Sequence, residues 1–127
     1  MKKILNTTQA PAPVGPYNQA VKAGDTLYVS GQIAIDPATS ELVKGDIETE
    51  TRQVMENLKA ILTNAGMDFS HVVKASVFVS DMNDYGRING VYAQYFDEAT
   101  APARELVEVA NLPKFVNVEI SVIAYTG

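Results

Sequence analysis

The chain has 127 residues, a hydrophobic share of 46%, no cysteine and a formal net charge of −5. One domain over residues 1–127 is the natural reading, with enough apolar material for a stable core. The missing cysteines exclude disulfides, thiolate metal sites and cysteine nucleophiles, and the acidic balance disfavours nucleic acid as a partner.

Lys2 and Lys3 make a short basic start with no apolar signal region behind it. No apolar run approaches the roughly 18 residues that a membrane helix needs. A soluble cytoplasmic protein without a membrane partner is expected.

Met1 to Asn6 is a short apolar opening that reads as an edge strand. Ala10 to Pro16 (APAPVGP) holds three prolines and a glycine, which predicts an ordered loop. Tyr17 follows the rigid corner Gly15-Pro16, which aims its side chain. Asn18 to Ala23 and Thr26 to Ile33, separated by Gly24-Asp25, predict a hairpin. Ser30-Gly31 interrupts the second arm, a sign of a bulge or of close backbone approach. Asp36 to Ser40 is a turn.

Asp46 is a fitting N-cap, with Glu48 and Glu50 in the positive first turn. Val54, Leu58, Ile61 and Leu62 recur at helical spacing, and Gly66 is a stop. Val72 to Val79 (VVKASVFV) is β-branched and strand-like. After a turn at Asp81 to Asn83, the residues Tyr85, Ile88, Val91, Tyr92, Tyr95 and Phe96 mark a second amphipathic helix. Two strands close the chain, Ala103 to Val109 and Phe115 to Tyr125, joined by Asn111-Leu112-Pro113-Lys114.

The order β-β-β-α-β-α-β-β suggests an α+β two-layer sandwich, with two helices covering one face of a sheet. In the last strand Val116, Val118, Ile120, Val122 and Ala124 point under the helices, and Asn117, Glu119, Ser121, Ile123 and Tyr125 point away. Arg104, Leu106 and Glu108 share one face of their own strand. The open face keeps apolar character and needs a cover, so a homo-oligomer with packed sheet faces is expected, most simply a closed ring.

Few residues can carry chemistry. His71 is the only histidine, which excludes multi-histidine metal sites and leaves a structural role at the start of a strand. No glycine-rich nucleotide loop exists, so no cofactor is implied. Arg52 and Arg87 lie on helices, where a solvated face is the default. Arg104 lies in a semi-apolar strand, where its fork is costly unless a carboxylate or a ligand satisfies it. Glu105, Glu108 and Glu119 could pair with it; a bound anion is the other possibility. Glu119 is either such a partner or a partly dry base. Tyr17 either caps a pocket or packs, and Asn89 is a surface amide or a site residue.

These residues sit in longer stretches that resemble the RidA/YjgF reactive intermediate deaminases nearly end to end. The stretches are Ala10 to Tyr17 (APAPVGPY), Ser30-Gly31-Gln32, Val72 to Val79, the N-x-x-Y of the second helix, and Ala101 to Ala124 (APARELVEVANLPKFVNVEISVIA). The resemblance implies a chorismate-mutase-like fold with a six-stranded mixed sheet, assembled as a homotrimer with sites between subunits. It implies cofactor-free hydrolysis of 2-imino and enamine acids, 2-iminobutanoate and 2-iminopropanoate, to 2-oxo acids and ammonia.

By the same resemblance, Arg104 binds the substrate carboxylate and Glu119 orients or activates water. Tyr17, Ser30, Gly31 and Asn89 line the site, and the backbone of Leu106 contacts the ligand. The chain departs from many relatives in having leucine at 106, and in its short connection between Phe96 and Pro102; both bear on substrate size. The main rival is a non-catalytic binder of small 2-oxo acids with regulatory function. A ribonuclease is disfavoured by the charge and the single histidine. A chorismate mutase would need several cations where only Arg104 is well placed.

Overall fold

The computed structural model describes Met1–Gly127. Strand β1 (Lys3–Leu5) pairs antiparallel with β2 (Ala20–Ala23), which turns at Gly24 into β3 (Thr26–Gln32). Gly24 has φ 59°, the left-handed conformation that suits glycine in a tight hairpin turn. A two-stranded ribbon follows, β4 (Ile35–Asp36) with β5 (Glu41–Leu42). Its arms are two residues each and too short to show a period in sequence.

Helix α1 (Ile47–Asn64) starts where Asp46 accepts a hydrogen bond from the Thr49 N–H at 2.9 Å. It ends before Gly66, which has φ 72°. The chain continues through β6 (Val72–Val79), α2 (Tyr85–Tyr92), β7 (Ala103–Glu108) and β8 (Val118–Tyr125). The sheet order is β1-β2-β3-β8-β6-β7, and only β6 and β7 run parallel. The two-layer, six-stranded mixed sheet with two helices is therefore present.

Two boundaries differ from the sequence reading by three residues or more. Helix α2 stops at Tyr92 and gives way to a 3-10 turn over Ala93–Tyr95. There Tyr95 and Phe96 turn in to meet the Phe69 ring, each with centroids 5.2 Å apart. Strand β8 begins three residues later than Phe115, because Pro113–Phe115 forms a 3-10 turn. In it Lys114 and Phe115 hold φ of 54° and 55°.

The core lies between the sheet and the helices. Val54, Leu58, Ile61 and Leu62 of α1 meet Leu27, Val77, Val79, Val118 and Ile120, all nearly inaccessible to solvent. Each such side chain contributes about 1.5–3 kcal/mol by burial. Three buried polar side chains tie loops to this core, and periodicity marks none of them. Gln19 donates to the carbonyls of Thr7, Ala10 and Pro11 and accepts from the Thr7 N–H, which pins the proline-rich loop. Asn57 donates to the carbonyls of Ile33 and Ile35. Glu50 accepts from the Asn117 N–H and Nδ2 and from the Val118 N–H, so α1 anchors the start of β8. No helix is long and apolar enough to cross a membrane.

Candidate functional site

A cavity of about 520 Å³ opens between the proline-rich loop, β3 and the turn before β8. Tyr17, Ser30, Gly31 and Glu119 all line it, with Val14, Ile33 and Ile35 as apolar wall. The structure brings these four of the candidate residues to one cavity, and Asn89, Arg104 and Leu106 are not among its lining. A second concavity of about 580 Å³ crosses the outer face of α1, but its wall is almost wholly polar and holds no candidate residue.

The interruption at Ser30-Gly31 is a register shift between Val29 and Gln32 in the β3–β8 ladder. It serves two ends. Ser30 turns its hydroxyl to donate to the Asn18 carbonyl at 2.6 Å, so β3 is fastened to the base of the loop that carries Tyr17. Gly31 presents bare backbone to Glu119. A Cβ at position 31 would lie 2.6 Å from Glu119 Oε2, so the carboxylate lies over the space that only glycine leaves.

Glu119 forms no ion pair and no hydrogen bond to protein. Burial alone raises its pKa above the ordinary glutamate value. A carboxylate that is half-dry, unpaired and aimed into a cavity suits proton transfer.

Arg104 is elsewhere. Its Nη1 donates to Asn89 Oδ1 at 2.8 Å and its Nη2 to the Tyr85 hydroxyl at 3.1 Å. Its Cζ sits 4.9 Å from the centroid of the Tyr92 ring. Each acidic partner that the sequence offered is otherwise placed. Glu105 pairs with Lys74 at 3.0 Å, Glu108 caps the Met82 N–H at 2.7 Å, and Glu119 is in the cavity. The guanidinium therefore has only neutral partners. Arg52 and Arg87 are surface residues, bonded to Gln94 and to Glu48 respectively.

Register shows why Arg104 and Glu119 do not meet within one chain. Arg104 lies beside Ala75, and Glu119 beside Phe78. Ala75 and Phe78 are an odd number of positions apart on β6, so the two functional side chains leave opposite faces of the sheet. Arg104 is on the helix side, where Ala75 is wholly buried. β6 also separates their two strands, a lateral gap of about 10 Å. The structure thus divides these candidates into two separate groups, Tyr17–Ser30–Gly31–Glu119 and Asn89–Arg104.

Leu106 lies two residues along from Arg104 on the same face and packs against the core. Its bulk does not enter the cavity of its own chain. His71 is structural, as expected: its Nδ1 accepts from the Asp68 N–H in a capping box. In the sequence Tyr85 counts only as an apolar marker of a helix, and Tyr92 as such a marker and as the tyrosine of the N-x-x-Y motif. Their spacing around Asn89, at i, i+4 and i+7, was the available sign that they share a face with it.

A family model described as Endoribonuclease L-PSP matches residues 7–126. A mouse relative named 2-iminobutanoate/2-iminopropanoate deaminase is 46% identical over 127 residues, covering all of this chain and 93% of the relative. The chain belongs to the RidA/YjgF family. Among its relatives in that family, a RutC family protein of Pyrococcus horikoshii is 55% identical over 125 residues, covering 98% of both chains. YyfA of Yersinia pestis, a Rid family protein of unknown function, superposes with a TM-score of 0.96 at 44% identity, covering 99% of this chain and 100% of the other. TdcF of E. coli, solved with bound serine, superposes with a TM-score of 0.92 at 43% identity, covering 98% and 99%.

Proposed function

We propose that this RidA/YjgF chain is a hydrolytic deaminase that converts 2-imino acids, 2-iminobutanoate and 2-iminopropanoate among them, to 2-oxo acids and ammonia. The observation that carries the reading is the Arg104 guanidinium. It is ordered on one side of the sheet with neutral partners only, so its charge is free for a small carboxylate. The names of the mouse relative and of its cattle counterpart, 47% identical, support the same reaction. So does bound serine in TdcF, since serine carries the same α-carboxylate.

The site needs a second copy of the chain. Arg104 and Glu119 leave opposite faces of one sheet, so a site holding both takes one from each of two protomers. The open face offers the means of assembly: Tyr28 and Tyr125 are about half exposed there, beside Ile123. We infer a homotrimer, a closed ring that covers this face on every copy. The cysteine-free composition fits a reducing cytoplasm.

In the proposed reaction Arg104 grips the carboxylate with two parallel hydrogen bonds and holds C2 at the Glu119 cavity of the neighbouring protomer. Glu119 accepts a proton from a water molecule as its oxygen adds to C2, and passes that proton to the imine nitrogen. The carbinolamine then collapses: its hydroxyl proton passes by way of Glu119 to the amine nitrogen, the C–N bond breaks, ammonia leaves, and the C=O of the 2-oxo acid forms. One water is consumed and no electrons are transferred, so no cofactor chemistry is called for. Free imines already hydrolyse in water, and orientation alone can supply about 7 kcal/mol.

The ribonuclease sense of the family description finds less support. The chain carries a net charge of −5, and its one histidine is engaged in a cap. A non-catalytic 2-oxo-acid sensor would use Arg104 but has no need of an unpaired Glu119.

Coupling the protein to a threonine dehydratase and following loss of the imine tests the proposal. Wild type accelerates that loss, Arg104→Ala abolishes the acceleration, and Arg104→Lys nearly does. Full activity in Arg104→Ala overturns the clamp. A wild type that binds 2-oxobutanoate without accelerating imine loss is a sensor instead.

A further inference from the structure

Resting on that reading, we propose that Tyr85 and Tyr92 are positioning residues for Arg104, holding its guanidinium by one edge and one face so that its remaining donors form a fixed fork before any ligand arrives. Neither residue contacts the cavity that holds Glu119. Both act through the arginine.

The cradle is built from one helix face. Tyr85, Asn89 and Tyr92 stand at i, i+4 and i+7 along α2, and Arg104 reaches them from β7 on the helix side of the sheet. The Tyr85 hydroxyl and Asn89 Oδ1 each accept from a different terminal nitrogen of the guanidinium. Two of its five N–H donors are thus used, and three stay free. The Tyr92 ring lies under the plane at 4.9 Å, and the Tyr85 ring stands at 5.9 Å, both within cation–π range.

The chemistry of these partners separates holding from neutralising. A carboxylate would fix the guanidinium equally well, but it would cancel the charge an incoming anion must feel. A hydroxyl, an amide and a ring face fix it and leave the charge whole. A flexible arginine would have to surrender its rotamer freedom on binding, whereas one already held does so during folding.

The two tyrosines divide the work differently. Tyr85 is 41% exposed, and its hydroxyl makes the contact. Tyr92 is 6% exposed, and its hydroxyl is buried without any partner. Tyr92 therefore serves through its ring, and phenylalanine should do most of its task.

Three substitutions, Tyr85→Phe, Tyr92→Leu and Tyr92→Phe, test this by three readouts. In the coupled imine assay Tyr85→Phe raises KM about fivefold, the effect of one lost hydrogen bond, with kcat nearly unchanged, because the grip is the same in ground and transition states. Tyr92→Leu raises KM about tenfold or more, and Tyr92→Phe recovers most of that loss. Calorimetry with 2-oxobutanoate reports the same order without any turnover.

The third readout needs no ligand. In ¹⁵N spectra of the free protein, with Arg104→Lys assigning the signal among three arginines, guanidinium rotation at Arg104 is slow in wild type and faster in Tyr85→Phe and Tyr92→Leu. If wild type neither hydrolyses imine nor binds 2-oxobutanoate, the functional reading falls, and the rotation rates still decide on the cradle. Equal rotation rates in wild type, Tyr85→Phe and Tyr92→Leu overturn it. So does a Tyr92→Phe variant as impaired as Tyr92→Leu, since that assigns the work to the hydroxyl.

Discussion

Alanine at position 31 is the sharpest probe of where Glu119 has to be. Its new Cβ would stand 2.6 Å from Oε2, 2.9 Å from Cδ and 3.1 Å from Cγ of Glu119. To restore ordinary contact the oxygen must move from 2.6 Å to at least 3.4 Å, a retreat of about 0.8 Å. The main chain need not follow, because Gly31 is not at positive φ and alanine can adopt its conformation. Alanine also restrains the unfolded chain, a gain of about 0.4–1 kcal/mol that offsets the displaced carboxylate. Stability should thus stay within about 1 kcal/mol of wild type. Catalysis should not: a misplacement near 1 Å costs on the order of 100-fold, about 2.7 kcal/mol of barrier. The coupled imine assay reads the rate, and urea denaturation reads the stability. Gly31→Ala with an undiminished rate would refute the placement of water by Glu119. A rate loss matched by a collapse in stability would refute the local origin of the effect.

Three further outcomes follow from the same contacts. Burial raises the Glu119 pKa, so the folded chain holds that proton more tightly than the unfolded chain, and stability falls as pH rises from the usual glutamate range through the raised value. Glu119→Gln is therefore expected to melt higher than wild type at pH 7, to lose that advantage as pH drops below the usual glutamate range, and to hydrolyse imine slowly throughout; calorimetric melts across pH check this. Glu50→Ala strips three acceptor contacts from the buried start of β8 and should cost about 3 kcal/mol in urea denaturation, with Glu50→Gln retaining most of the stability. Tyr28→Asp, on the open face, should turn a trimer into a monomer in sedimentation and abolish activity with it; a monomeric wild type would undo the shared-site proposal.

Local patterns made the scaffold legible. Helix α1 announced itself through an Asp46 cap, apolar residues at 54, 58, 61 and 62, and Gly66 beyond its end, each a short-range signal. Alternation along β8 told its two faces apart, and the buried residues are the ones so assigned, Val118, Ile120, Val122 and Ala124. The two boundaries that moved furthest did so for reasons without a sequence period: a pair of non-glycine residues at positive φ before β8, and an aromatic cluster that draws the chain inward after Tyr92.

The candidate site divides along the same line. Residue types and motif order singled out Arg104, Glu119, Tyr17, Ser30, Gly31 and Asn89, because an arginine or a glutamate within an apolar strand conflicts with its surroundings and that conflict is visible in one dimension. Whether Arg104 is ion-paired is not visible there, since Glu105, Glu108 and Glu119 are all available partners in the sequence. Tertiary structure settled it by sending Glu105 to Lys74, Glu108 to a backbone cap and Glu119 to the far face. Sequence alone determined which side chains are anomalous, for polarity is a property of the residue. Only the fold decided which of them meet, because strand order and register set direction and distance, and neither is written in any local stretch of chain.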